Sequence, residues 1–571
     1  MNSEEKKVKM KFNILAIICI AIFCFVLAPV TLQNDTYYTI KIGEHIIENG
    51  IDMQDPFSWH EDLPYTYPHW AYDTSVYLIY NLGEMTQIEN GGMIFIHLYV
   101  AVLSSILGIV MYKTILKISK NNLMSFFFTI LTMYLLDAFI AARAQLVTFI
   151  LFMLTILFIE NFLESKKKRY LLGIILISIV IANVHVAVWP FFFILFLPYI
   201  AEYIIALILD MNIIAKLLMF EKESKIRKLN KKVKVQKDEE KKKELELKLK
   251  QAEDNLILQK EKVEKVIEKE NTRRENPYKL KIEKNSSVKW LILVMIICAF
   301  TGLLTPLGDT PYTYLVKTMQ GNTMNSISEH QPLTLYNDKQ NMIVMAVVLA
   351  ILIFTDTKIK LREFFMIAGL LFLSFMSRRQ LSLFLLIGVP IFTRWIDCLI
   401  KKYDENGCDL IVKFMNTIYG KILTIVLVML ISLCFVKPKL NDVFVDTSKY
   451  PVDASTWILE NLDIENIRLY NEYNYGSYLL FRGIPVFIDS RADLYAPEFN
   501  KTEENEEGRD IFSDYINISS IGTYYENKFE KYDITHVIVV NNAKLNMFLS
   551  RNNDYKEIYK DDYFVIYERN V

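Results

Sequence analysis

Cysteine is scarce in this chain, and none of it stands where chemistry would need it. Six occur in 571 residues: Cys19, Cys24, Cys298, Cys398 and Cys434 lie in or beside apolar runs, and Cys408 in a charged loop. No pair has zinc-ligand spacing, and a disulfide framework in the polar segments is excluded. Glycine is also sparse, at 18 residues. The chain contains no P-loop, dinucleotide fingerprint, serine-hydrolase elbow or HExxH helix. Net charge is only −1, so bulk electrostatics predicts no nucleic-acid partner.

What the chain does have is 52% hydrophobic and 23% charged residues, strongly segregated. That mixture suits a polytopic membrane protein with soluble inserts. About eleven apolar runs read as transmembrane helices: 12–31, 91–112, 123–140, 146–163, 170–184, 187–209, 288–305, 341–355, 362–376, 380–396 and 422–436. The stretches near 184–190 and 377–380 read as kinks or re-entrant turns. The first run follows a basic N-terminus as a signal peptide would, but no small-residue cleavage site closes it, so it reads as a retained span.

Basic clusters orient the spans. Lys6, Lys7, Lys9 and Lys11, then Lys166 to Arg169, Lys358, Lys360 and Arg362, and Lys401 and Lys402 all fall on one side. The positive-inside rule makes that side cytoplasmic in a plasma-membrane protein, and places residues 438–571 outside. Four regions result: 1–215, an N-terminal membrane region with a long external loop over 33–90; 216–287, a Lys/Glu-rich cytoplasmic insert; 288–437, a second membrane region; and 438–571, an external tail.

In the insert, Leu245, Leu249, Ala252, Leu256, Gln259, Val263 and Val266 step by four and three, a heptad seam. A coiled-coil hairpin with its apex near Asp238 to Lys243 is expected, either as a solvated spacer or as a seat for a cytoplasmic partner. In the tail, VFIDSRADLY, THVIVV and YFVIYER read as short β-rich runs among helical segments, which predicts a small α/β domain. The external loop carries an amphipathic helix near 36–48, a turn-rich aromatic stretch and a second helix near 71–82.

On this topology, Asp35, His69, Arg143, His185, Glu329, His330, Arg378 and Arg379 all fall on the outer side. A scattering of incidental polar residues would not be one-sided. Asp35, just after the first span, reads as a base or as a helix N-cap. Arg143, Arg378 and Arg379 interrupt apolar stretches, where charge is costly; they read as phosphate-binding guanidinium forks or as snorkelling side chains. His69, His185 and His330 fit phosphate binding or plain interfacial hydrogen bonding. In the tail, Asp489, Arg491 and Asp493 follow an expected strand, and with Tyr475 and Arg482 they are candidates for contact with an acceptor, or for an internal ion network.

A family resemblance joins these segments. NDTYYTIKIGEHIIENGIDMQDPFSWHEDLPYTYPHWAYDTSVYLIY, AARAQLVTF, NVHVAVWPF, LTPLGDTPY, SEHQPL, MSRRQLSLF and NEYNYGSYLLFRGIPVFIDSRADLY resemble a bacterial branch of the GT-C superfamily. These multi-span glycosyltransferases use polyprenyl-phosphate sugars, as do protein O-mannosyltransferases and aminoarabinose transferases. The resemblance implies that Asp35 deprotonates or orients the acceptor, that Glu329 acts as a second acid, and that the partners are a polyprenyl-phosphate-linked sugar and membrane lipid. Some relatives bind a divalent metal. No Asp-x-Asp or Glu-x-Asp pair stands in the first loop, so no cofactor or metal ligand set is expected. A transporter or flippase of a lipid-linked or anionic substrate, and a non-catalytic assembly protein, remain competing readings.

Overall fold

The computed structural model describes residues 3–209, 211–235, 239–275, 280–321, 331–334, 339–354, 358–502, 505–522 and 524–570. Among them, six helical stretches are long and apolar enough to cross a membrane: Glu5–Leu27, Gly91–Ser119, Ala144–Ser165, Val186–Ile208, Arg378–Tyr403 and Ile418–Lys439. Asn122–Leu135, Arg169–Val184 and Val288–Leu303 are apolar but shorter. Ile422, Val426 and Leu430 stand exposed along Ile418–Lys439, an arrangement that suits lipid and not water. The chain is a membrane protein.

Each expected span falls on helix, but the run 187–209 is divided. Trp189–Ile194 and Leu197–Ile208 each carry a proline in the first turn, where its missing N–H costs nothing. The first helix, Ser3–Leu27, packs on Gly91–Ser119 and Ile418–Lys439; Gly91–Ser119 packs in turn on Ala144–Ser165 and Leu381–Tyr403. Lys439 donates to the carbonyls of Val26, Leu27 and Ala28 at 3.0, 2.8 and 3.1 Å. It thereby serves groups that the end of the first helix leaves without partners.

Arg362 was expected only as a charge marking one membrane face. It is instead buried at the start of helix Leu361–Met376, with Nη1 3.0 Å from Glu202 and 2.9 Å from Glu283, and Nε 3.7 Å from Glu160. Three carboxylates repay the desolvation of one guanidinium. In the insert, Met211–Val235 and Glu239–Glu275 lie against each other, and Lys260 sits 3.8 Å from Glu223. That pairing makes the two helices antiparallel, and the expected apex lies partly outside the described residues.

The tail holds a four-stranded sheet in the order Leu469–Tyr470, His536–Val540, Phe564–Arg569, Tyr555–Lys560. The first pair is parallel and the others antiparallel. THVIVV and YFVIYER are strands as expected, but VFIDSRADLY is not. Val486 makes only a single bridge to Ser58, and Ala492–Tyr495 forms a 3-10 turn. The ion pairs of Arg491 fold this segment against the loop instead of into a ladder.

In the loop, helices Asn34–Asn49 and Trp70–Glu84 pack so closely that a Cβ on Gly43 would clash with the Asp73 carbonyl oxygen. Trp59 Nε1 donates to Leu469 O at 3.0 Å, and Asn34 Nδ2 to Tyr473 O at 2.9 Å. Residues distant in sequence thus form one roof over the helices.

Candidate functional site

Asp35 lies in the first turn of helix Asn34–Asn49, where the helix dipole favours a carboxylate; the cap itself is Gln33. Its Oδ2 is 2.9 Å from Nη2 of Arg143. Arg143 caps helix Ala144–Ser165 from an extended backbone, so the ion pair joins the loop to the membrane bundle.

His69 and His185 meet edge to face, with ring centroids 4.8 Å apart. Thr148 Oγ1 is 2.9 Å from His185 Nδ1. The amide of Val186 donates to Pro68 O at 3.0 Å, which pins the helix break to the loop. Removal from water, reinforced by the charge of Arg379, lowers the His69 pKa to about 4. The imidazole is therefore neutral at pH 7 and offers one donor and one acceptor.

Arg378 and Arg379 occupy the short 3-10 turn Arg378–Gln380 between helices Leu361–Met376 and Leu381–Tyr403. The turn sends neighbouring side chains in different directions, and Arg379 borders the central cavity while Arg378 does not. That cavity has a volume of about 1040 Å³ and brings together Asp35, His69, Arg143, His185, Arg379 and Asp493. Its walls differ in character. Phe149, Phe152, Val188 and Leu383 make an apolar end between the helices, and residues of the loop and tail make a polar end.

Asp493 accepts a hydrogen bond from Tyr314 Oη at 2.5 Å, and burial raises its pKa. Arg491 also reaches the cavity wall, but its guanidinium is committed. Nε and Nη2 donate to Asp489 at 2.9 and 2.6 Å, and Nη1 to Asp55 at 2.7 Å. Tyr65 and Phe57 stack against it at 4.9 and 5.4 Å. Burial alone would raise the pKa of Asp55; Arg491 overcomes this and holds it below the usual carboxylate range. This is a clamp between tail and loop.

Two other candidates face away from the cavity. Tyr475 donates to Ile538 O at 2.8 Å inside the tail core, and Arg482 donates to Tyr478 and Thr456. Glu329 and His330 lie outside the described residues. Asp55, Tyr314 and Tyr473 did not stand out in the sequence. Asp55 sits in a turn-rich DPF run and Tyr473 in a Tyr-rich one, where such residues are unremarkable without their partners. Among the described residues no three His, Cys, Asp or Glu side chains gather as metal ligands.

No family model and no curated protein matches the chain. Solved structures do. The apo oligosaccharyltransferase of Archaeoglobus fulgidus, a GT-C membrane enzyme, superposes with a TM-score of 0.50 at 12% identity, over 93% of this chain and 69% of that one. The chain has the GT-C fold. The same archaeal enzyme, tethered through a disulfide to an acceptor peptide containing the NVT sequon, gives a TM-score of 0.48 at 11% identity, over 93% and 69% of the two chains. Within this GT-C fold, the long first loop and the C-terminal tail close over the cavity described above.

Proposed function

We propose that the chain is an integral membrane glycosyltransferase. It moves a sugar from a polyprenyl-phosphate donor to an acceptor on the extracytoplasmic face. The observation that carries this reading is that Arg143 and Arg379 stand in one cavity with the apolar side chains of Phe149, Phe152, Val188, Phe191 and Leu383. A polyprenyl phosphate has the matching form, a hydrocarbon chain ending in an anion. Guanidinium forks suit phosphate oxygens, and charge beside hydrocarbon either pairs within the protein, as Arg143 does with Asp35, or marks a substrate path. Ile194, Met319 and Met376 line the apolar end and keep 40%, 66% and 54% of their surface exposed, as side chains at a mouth do.

In this mechanism the lipid chain lies along the apolar wall while Arg143 and Arg379 hold the phosphate. They stabilise the charge that grows on it as the sugar–phosphate bond breaks. Asp35 orients the acceptor nucleophile and takes its proton. His69, being neutral, donates or accepts a hydrogen bond without competing for the phosphate charge.

The test is binding of undecaprenyl phosphate to the full chain in lipid nanodiscs, by native mass spectrometry. Replacement of both Arg143 and Arg379 by Ala is expected to weaken binding by at least ~10-fold, the effect of losing one charge-assisted contact. Equal binding by the variant would remove the basis of the reading.

A further inference from the structure

The proposed function puts two arginines at the phosphate and leaves the rest of its surroundings open. We propose that the phosphate sits on the N-terminus of helix Ala144–Ser165, with the Tyr38 hydroxyl as a further hydrogen-bond donor to it. The inference rests on the glycosyltransferase reading and adds the groups that hold the anion.

The helix itself gives the direction. Gln145, Thr148, Phe149 and Phe152 all line the cavity, and their spacing makes one stripe of an α-helix. The stripe is polar at the first turn and apolar further along. A polyprenyl phosphate laid on it has hydrocarbon against the phenylalanines and its anion at the first turn. That end is the positive pole of the helix dipole. The amides of Ala144 and Gln145 donate to no group among the described residues, and no side chain caps them. Arg143 stands at the N-cap, the end of a helix where a cation by itself is unfavourable. Asp35 offsets that charge at Nη2 and leaves both amides open.

Tyr38 reaches the same place from the loop. It follows Asp35 by three residues on helix Asn34–Asn49, so the two share a face. Tyr38 is only 9% exposed and lines the cavity, and the charges of Asp35 and Arg143 both act on its phenol. Its hydroxyl has no hydrogen-bond partner among the described residues. Buried tyrosine hydroxyls usually find one, and a phosphate oxygen supplies it. Burial and the nearby Asp35 carboxylate hold the phenol above its ordinary pKa, so it keeps its proton to donate. A neutral donor also serves the anion without the desolvation of another charge.

Native mass spectrometry of the full chain in nanodiscs tests this, with undecaprenyl phosphate and the phosphate-free undecaprenol as probes. The variants are Tyr38→Phe and Ala144→Pro. Proline at the first helical position removes one N–H without breaking the helix, and the extended backbone of Arg143 accepts a proline after it. Each variant is expected to weaken undecaprenyl phosphate binding by about tenfold and to leave undecaprenol binding unchanged. Tyr37 also has an unpaired hydroxyl, but it packs on Tyr450 and Tyr478 with ring centroids 5.0 and 5.1 Å away, off the cavity. Tyr37→Phe should therefore change neither affinity. Unfolding midpoints show whether each variant is folded; if Ala144→Pro is not, Tyr38→Phe decides alone. Wild-type affinity for undecaprenyl phosphate in either folded variant, or an equal loss of undecaprenol, overturns the proposal. If the wild-type chain binds undecaprenyl phosphate and the variants match it, only this seat is wrong. If the wild-type chain does not bind it, the reading of the whole cavity falls as well.

Discussion

Single side chains divide here into those that hold the roof and those that face the cavity, and substitutions should separate them. Asp35→Asn is expected to slow sugar transfer by about 10²- to 10⁴-fold, the usual worth of a positioned base, while leaving undecaprenyl-phosphate binding in place; a rate within a few fold of wild type would remove Asp35 from the mechanism. Arg491→Met leaves Asp55 and Asp489 buried without their cation. It should cost about 3–5 kcal/mol, read as a lower midpoint in thermal or denaturant unfolding. His60 supplies a pH test. Burial holds it to about 4, with Nε2 2.8 Å from Phe487 O. The unfolded chain takes up that proton near pH 6.5 and the native one near 4, so stability falls as pH drops through this window, by up to ~3 kcal/mol. Glu472, raised to about 7 by burial, works in the opposite sense, since its native state holds more protons than the unfolded one. The difference between wild type and His60→Gln therefore carries the signal: the variant should lose the fall between pH 6.5 and 4. At this scale the sequence was most readable where charge interrupts hydrocarbon, as at Arg143 and Arg379. It was least readable at Asp55 and Tyr314, whose importance comes from partners at Arg491 and Asp493, far along the chain.

Elements were readable where their periodicity is strong. The long apolar helices, the two loop helices and the strands His536–Val540 and Phe564–Arg569 follow from pattern alone. VFIDSRADLY shows where pattern fails: its alternating apolar residues suit a strand, but burial of Arg491 between two carboxylates decides its path. The insert is an element apart. Its helices pair with each other and reach the bundle through the short parallel pairing of Leu280–Lys281 with Ile359–Lys360. Replacement of residues 211–275 by a flexible Gly/Ser linker is therefore expected to leave undecaprenyl-phosphate binding within a factor of a few. Loss of binding in a protein that still reaches the membrane would instead make the hairpin part of the working machine.

Taken whole, the molecule gathers on one cavity most of the polar residues that the basic-loop pattern placed on one side: Asp35, His69, Arg143, His185 and Arg379. The orientation that the pattern implies can be read directly. In a cysteine-free background, Ser550→Cys in the tail should react with a membrane-impermeant maleimide on intact cells, and Lys243→Cys in the insert only after permeabilisation. The reverse pattern would turn the protein over and move the proposed chemistry to the cytoplasm. The cavity itself was not legible, because its walls run from Asn34 to Ile516, and no local window of sequence contains both ends.

That same span has a consequence for how the protein is made. The cavity roof joins the loop at 33–68 to a tail that is made after every helix of the membrane bundle, through contacts such as Asp55 with Arg491 and Trp59 with Leu469. While the chain is still being inserted, the early helices can pack, but the cavity has no roof. Until the tail is made, the trough between the helices stays open and lacks Asp493. On the proposed function, catalytic competence is then a late step of biogenesis, and termination before the tail is expected to yield an inserted but inert protein.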